Sequence, residues 1–185
     1  MNKTLIGWVT AFLVSASAIA EDYVIDTENA HAFVQFKARH LGYSYIIGRF
    51  NAWEGTFSYA ENSPETASVS VTIDAASLDS NHAERDNELR SANFFDVENY
   101  PTITFISTGF QEVEDGSIIV TGDLELRGVK KSVQLKGRHI GHGDDPWGGY
   151  RRGFEAGVSL KSSEFGFSSW VGNVDVTVIL EGIRE

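Results

Sequence analysis

From residue 21 onward the chain alternates apolar and polar residues with period two. That pattern fits strands that bury one face and wet the other. Val34, Phe36 and Ala38 alternate with Gln35 and Lys37, and Trp53, Phe57 and Tyr59 share a face opposite Glu54, Thr56 and Ser58. Val69, Val71 and Ile73 oppose Ser68, Ser70 and Thr72, while Ile103 and Phe105 oppose Thr102 and Thr104 after Pro101. Ile118, Val120, Gly122, Leu124 and Leu126 face one way, the chain turns around Gly128, and Val133 and Leu135 return toward Ile140. Phe154, Ala156, Val158 and Leu160, then Val174, Val176, Val178 and Leu180, complete eight substantial strands, with a short one at Tyr23 to Ile25.

Helical signal is confined to Asn81–Arg90 and to a turn or short helix at His40–Ile47, and Gly141–Gly149 reads as a glycine-rich loop. Before residue 21 the pattern is different. A basic start with Lys3, an apolar run from Leu5 to Val14 and the A-x-A of Ala18 and Ala20 predict a cleaved export signal over residues 1–20. The apolar run is roughly half of what a bilayer-crossing helix needs. The reading is therefore a mature single domain over 21–185 in the periplasm. With no cysteine it has no disulfide and no site for a lipid-modified cysteine. The formal charge of −11, one unit more negative once Lys3 is removed, repels phosphate backbones and argues against nucleic acid as a partner.

Eight antiparallel strands, each apolar on one face, can form a two-sheet sandwich or a closed barrel, and periodicity does not separate the two. Gly55, Gly122 and Gly137, with Ala38 and Ala156, leave gaps among bulky inward residues and permit a cavity. Several ordered pieces then point to a family: HAFVQF from His31, HLGYS from His40, GRF at Gly48, the run from Ser77 to Pro101, TGDLELRGV from Thr121 and DDPWGG from Asp144. On these the chain resembles the YceI-like proteins, periplasmic lipocalin-like barrels associated with polyisoprenoid binding. The resemblance implies an all-β fold, an extended eight-stranded antiparallel barrel with one or two short helices. It also implies an apolar pore for a long-chain isoprenoid lipid or quinone, and no catalytic residues. The inward positions expected to line the pore are Val34, Phe36, Trp53, Phe57, Val71, Phe105, Val120, Leu124, Phe154, Val158, Val176 and Val178.

Other chemistry finds little purchase in the sequence. There is no cysteine nucleophile, GxSxG elbow, HExxH or phosphate-binding glycine loop, so neither an enzyme nor a cofactor is expected. The alternative is a metal-dependent enzyme using His139, His142 and Asp144, whose residue types could ligate zinc or copper if the loop folded back. A second alternative is a docking module for a protein or a membrane, a transient membrane-protein partner among them, through Trp147 or through Tyr43–Ile47. Both a monomer and a homodimer fit a barrel of this size.

Overall fold

The computed structural model describes residues 20–29, 31–113 and 115–185. The export signal thus lies, all but Ala20, outside the described residues. The strands are β1 (Glu21–Ile25), β2 (Phe33–His40), β3 (Ser44–Phe50), β4 (Trp53–Tyr59), β5 (Ser68–Asp74), β6 (Leu78–Asp79), β7 (Thr102–Glu112), β8 (Ser117–Leu126), β9 (Val129–Asp144), β10 (Tyr150–Lys161) and β11 (Asn173–Arg184). One helix, α1 (Ala83–Arg90), precedes β7.

All pairings are antiparallel, and β1, β4, β5, β7, β8, β9, β10 and β11 form a ring that closes where β1 pairs with β11. The fold is thus the closed eight-stranded barrel, not the sandwich. Closure leaves those eight strands with neighbours on both sides and removes most of the exposed edge. One long strand makes the closure possible. β11 pairs with β2 through Val174–Ile179 and with β1 through Gly182–Arg184, so two strands share a single edge. The β2–β3 hairpin extends from the ring there, and β6 meets β3 only at Arg49 and Phe50.

Three sequence expectations are corrected. The segment His40–Ile47 is neither a turn alone nor a helix: a tight turn at Leu41 and Gly42, both at positive φ, leads straight into β3. Its outward residues Tyr45 and Ile47 are apolar, so period two was invisible there. Gly141–Asp144 is not loop but the end of β9, paired with Tyr150–Gly153. The true turn is short, and the Asp145 carboxylate accepts the backbone N–H groups of Trp147 (2.9 Å) and Gly149 (2.8 Å).

The strand glycines, in turn, are not gaps. A side chain at Gly122 would collide with the Phe105 ring, one at Gly48 with Phe36 and one at Gly182 with Phe57. Aromatic rings from other strands of the barrel lie over this bare backbone, so the missing side chain is replaced rather than left as space. Gly55 and Gly137 press against the backbone of Ser70 and of Glu155. Of the five positions, only Ala38 and Ala156 face the cavity.

Candidate functional site: a hollow apolar barrel with one polar end

The ladder registers define two ends of the barrel. Ala38 pairs with Val174, which places the β2–β3 turn beside the segment 162–172; Arg127 donates to the Ala92 carbonyl (2.9 Å) and to Gly166, bringing the chain after α1 to the same end. The opposite end holds Tyr59, Glu112 and the β9–β10 turn.

Between them runs a cavity of about 240 Å³. Every lining side chain is apolar except Ser58, Ser68, Ser162 and Tyr59. Inward residues such as Leu135, Val158 and Val176 are only half-buried, because they face this space rather than packed neighbours. A single water needs roughly 10–15 Å³ of such space and two to four polar partners. The cavity could hold many waters and offers them almost nothing to bond. It suits an apolar occupant.

The structure places eleven of the twelve expected lining residues on the cavity: Val34, Phe36, Phe57, Val71, Phe105, Val120, Leu124, Phe154, Val158, Val176 and Val178. Trp53 is the correction. It points inward and is buried, but it stands at the first position of β4, where its indole joins the packed core instead of the open space. Period-two reasoning also missed Leu89 of α1, Phe94 and Phe95 after it, and Phe165, Phe167 and Val171 before β11. These sit outside strands, where alternation carries no signal. The bare Phe-Phe pair in an otherwise polar stretch was the available clue.

At the β9–β10 turn end the interior becomes polar. β10 alternation points Arg152 inward two positions before Phe154, and its guanidinium is 1% exposed. It is ion-paired to Glu61, lies 2.7 Å from His142 Nδ1 and 3.4 Å from His139 Nε2, and covers the Tyr59 ring at 4.2 Å. Tyr59 donates to Glu112 (2.6 Å), and Tyr23 donates to Glu21 (2.8 Å). The His139 ring packs against Phe154, a cavity wall, at 5.1 Å. Together these groups plug that end. Carrying the β10 pattern two residues back from Phe154 would have revealed Arg152 in the sequence.

The plug replaces the metal site that spacing suggested. Arg152 reaches both His139 and His142, Glu61 rather than Asp144 joins them, and Asp144 is exposed on β9. A second convergence, Asp26, His31 and Glu181, already holds a cation: Arg151 Nη1 lies 2.6 Å from each carboxylate. Arg151 also bonds Asp145 (2.8 Å), so it ties β10 to β11, to the β9–β10 turn and to the residue after β1.

Burial works against the Asp26 charge, yet hydrogen bonds from Arg151, Asn29 and His31 hold its pKa down to about 2. Burial, and then the neighbouring Arg152 charge, push the His139 pKa below its usual value. Both shifts mean that the unfolded chain binds more protons than the native one, so stability rises with pH. Urea midpoints should therefore fall first as pH drops below about 6.5, the unperturbed histidine value. They should fall again between about 4 and 2, where Asp26 contributes on the order of 2 kcal/mol. Substituting Asp26 by Asn removes the lower step; an unchanged acid limb in that variant would contradict the assignment.

The architecture is that of a small closed barrel with a hollow apolar interior. A YceI-like domain model matches residues 23–182. A UPF0312 protein of Azotobacter vinelandii is 47% identical over 191 residues, covering 100% of both chains. The crystal structure of Burkholderia cenocepacia BcnA superposes with a TM-score of 0.75 at 20% identity, covering 85% of this chain and 98% of that one. A polyisoprenoid binding domain from Saccharophagus degradans, implicated in plant cell wall breakdown, gives a TM-score of 0.66 at 15% identity over 88% of this chain and 98% of its own. The chain belongs to the YceI-like family.

Proposed function

We propose that this protein is a periplasmic carrier that encloses the prenyl chain of an isoprenoid quinone or polyprenyl lipid inside its barrel. The observation that carries the reading is the continuous cavity, whose lining is apolar but for three serines and Tyr59 and which the Arg152 plug closes at one end. Each buried methylene yields about 0.8 kcal/mol, so several prenyl units supply ample gross driving force, most of it offset by the ordering of a flexible chain. A wall of Val, Leu, Ile and Phe selects the tail, because a polar head group would find no partner along it. The solved domain from Saccharophagus degradans, described as polyisoprenoid binding, has the same fold and adds support. The leader, with Lys3, its apolar run and the Ala18-x-Ala20 site, supports export to the periplasm. Binding rather than catalysis is the role proposed, since the plug's charged groups satisfy one another.

The test is mass spectrometry of the organic extract from protein purified out of its native periplasm. A prenyl lipid near one per chain is expected. An extract holding only phospholipid or fatty acid, or nothing, from a folded protein would overturn the proposal.

A further inference from the structure

We propose that the α1 end of the barrel docks on an anionic lipid bilayer, through the tip of the β2–β3 hairpin and Trp170. The inference rests on the carrier reading, because a prenyl lipid has to move between the barrel and a membrane without crossing much water.

The hairpin presents apolar side chains that a folded domain would normally cover. Tyr43 is 88% exposed and Leu41 73%, with Tyr45 and Ile47 following on the outward face of β3. From Ser44 to Gly48 the outer edge of β3 has no ladder partner among the described strands. Trp170, 72% exposed, stands in the turn just before β11 at the same end. Its indole packs edge-on against Phe94 at 5.9 Å, and Phe94 lines the cavity. The exposed aromatic surface is thereby continuous with the interior.

Charge identifies the occupant. In a protein of net charge −11, the sequence from Asn29 to Trp53 contains no carboxylate at all, while it carries Lys37, Arg39, His40 and Arg49. Asp175 meets Lys37 at 3.7 Å and Asp79 meets Arg49 at 3.7 Å, but Arg39 has no carboxylate within ion-pairing distance among the described residues. Tyrosine and tryptophan with a few cations is the composition that settles at the head-group level of a bilayer. The carboxylates nearest this tip, Asp175, Asp79 and Glu164, stand on neighbouring elements and are each paired to a cation, so the hairpin itself presents Arg39 and His40 beside its aromatic side chains, a combination suited to an anionic head group. Trp147, at the opposite end, is exposed too but stacks on Arg151, which is surrounded by Asp26, Asp145 and Glu181, and that setting repels anionic lipid.

The experiment is flotation of the purified protein with vesicles of phosphatidylethanolamine and phosphatidylglycerol, for the native protein, the triple variant Leu41→Ser/Tyr43→Ser/Tyr45→Ser, Trp170→Ser and Trp147→Ser. The native protein and Trp147→Ser should float with the vesicles. The triple variant should lose at least tenfold in the bound fraction and Trp170→Ser several-fold. No flotation of native protein, or equal flotation of the triple variant, overturns the proposal. So does a shift of the triple variant from dimer to monomer in solution without any vesicle binding, which would assign the face to a second copy of the chain. Prenyl content is a separate readout, so an empty barrel would discredit the carrier reading without being mistaken for a failure to dock.

Discussion

Replacing Ala156 by tryptophan should empty the barrel while leaving the fold intact. Ala156 stands midway along β10, paired with Gly137 on one side and Val178 on the other, and its methyl group faces the cavity. A small residue at mid-barrel lets the free space run past that level unbroken. An indole there would divide a cavity of about 240 Å³ into pieces too short for a prenyl chain. The substitution adds apolar bulk to space that is already dry. Filling it contributes up to about 2 kcal/mol, offset by about 1–3 kcal/mol if the walls must move. Extracted prenyl lipid should drop at least tenfold, while the urea midpoint of ligand-free protein changes little. The contrasting variant, Leu124→Arg, also blocks the pore, but it buries a charge among apolar walls and should cost several kcal/mol. A folded Ala156→Trp protein that kept its full lipid content would place the ligand outside the barrel.

What the sequence disclosed about this interior, and what it concealed, follows from a single physical fact: a barrel strand declares its inner face only when its outer face is polar. β4, β5, β8 and β11 meet that condition, and their lining residues Phe57, Val71, Leu124 and Val176 were all legible. β3 does not, since Tyr45 and Ile47 lie outside and Gly48 inside, so the strand went unrecognised. The outer polar face fails at the point where an exposed apolar surface begins. Trp53 shows a second limit, because alternation tells which way a residue points but not whether the space before it is filled. The glycines show a third. Gly122 looked like a gap until the register brought Phe105 over it, and the register between two paired strands is not written in either strand alone. The plug was hidden for a related reason. Arg152, Glu61, His142 and Tyr59 meet only because β10, β9 and the end of β4 converge, and an arginine on an inward position reads as the end of a strand rather than as its continuation.

That plug should prove to be the most sensitive polar feature of the molecule. Arg152→Met keeps most of the side-chain volume and removes the charge, so what is lost is the guanidinium's contacts rather than packing alone. Tyr23 retains its bond to Glu21 and Tyr59 its bond to Glu112, but the ion pair with Glu61 and the contacts to both histidines disappear. Breaking a buried pair by removing one partner costs about 3–5 kcal/mol when the other is stranded. Here Glu61 is half-exposed and can rehydrate, so a loss of about 2–3 kcal/mol at neutral pH is expected. The titrations supply a signature that simple loss of packing would not. The Arg152 charge helps hold the His139 pKa down and the Glu61 pKa down, so both should rise in the variant. A Glu61→Gln variant should cost at least as much, because Arg152, 1% exposed, loses the carboxylate that compensates its charge even though it keeps its contacts to Tyr59, Tyr23 and His142. Histidine titration by NMR and urea midpoints decide the matter together. If Arg152→Met lies within 0.5 kcal/mol of the parent and His139 titrates as before, the guanidinium is not what closes this end. If both move, the closed end is electrostatic and the way in or out for a ligand is left to the opposite end, where Phe94, Phe167 and Val171 rim the cavity beneath Trp170.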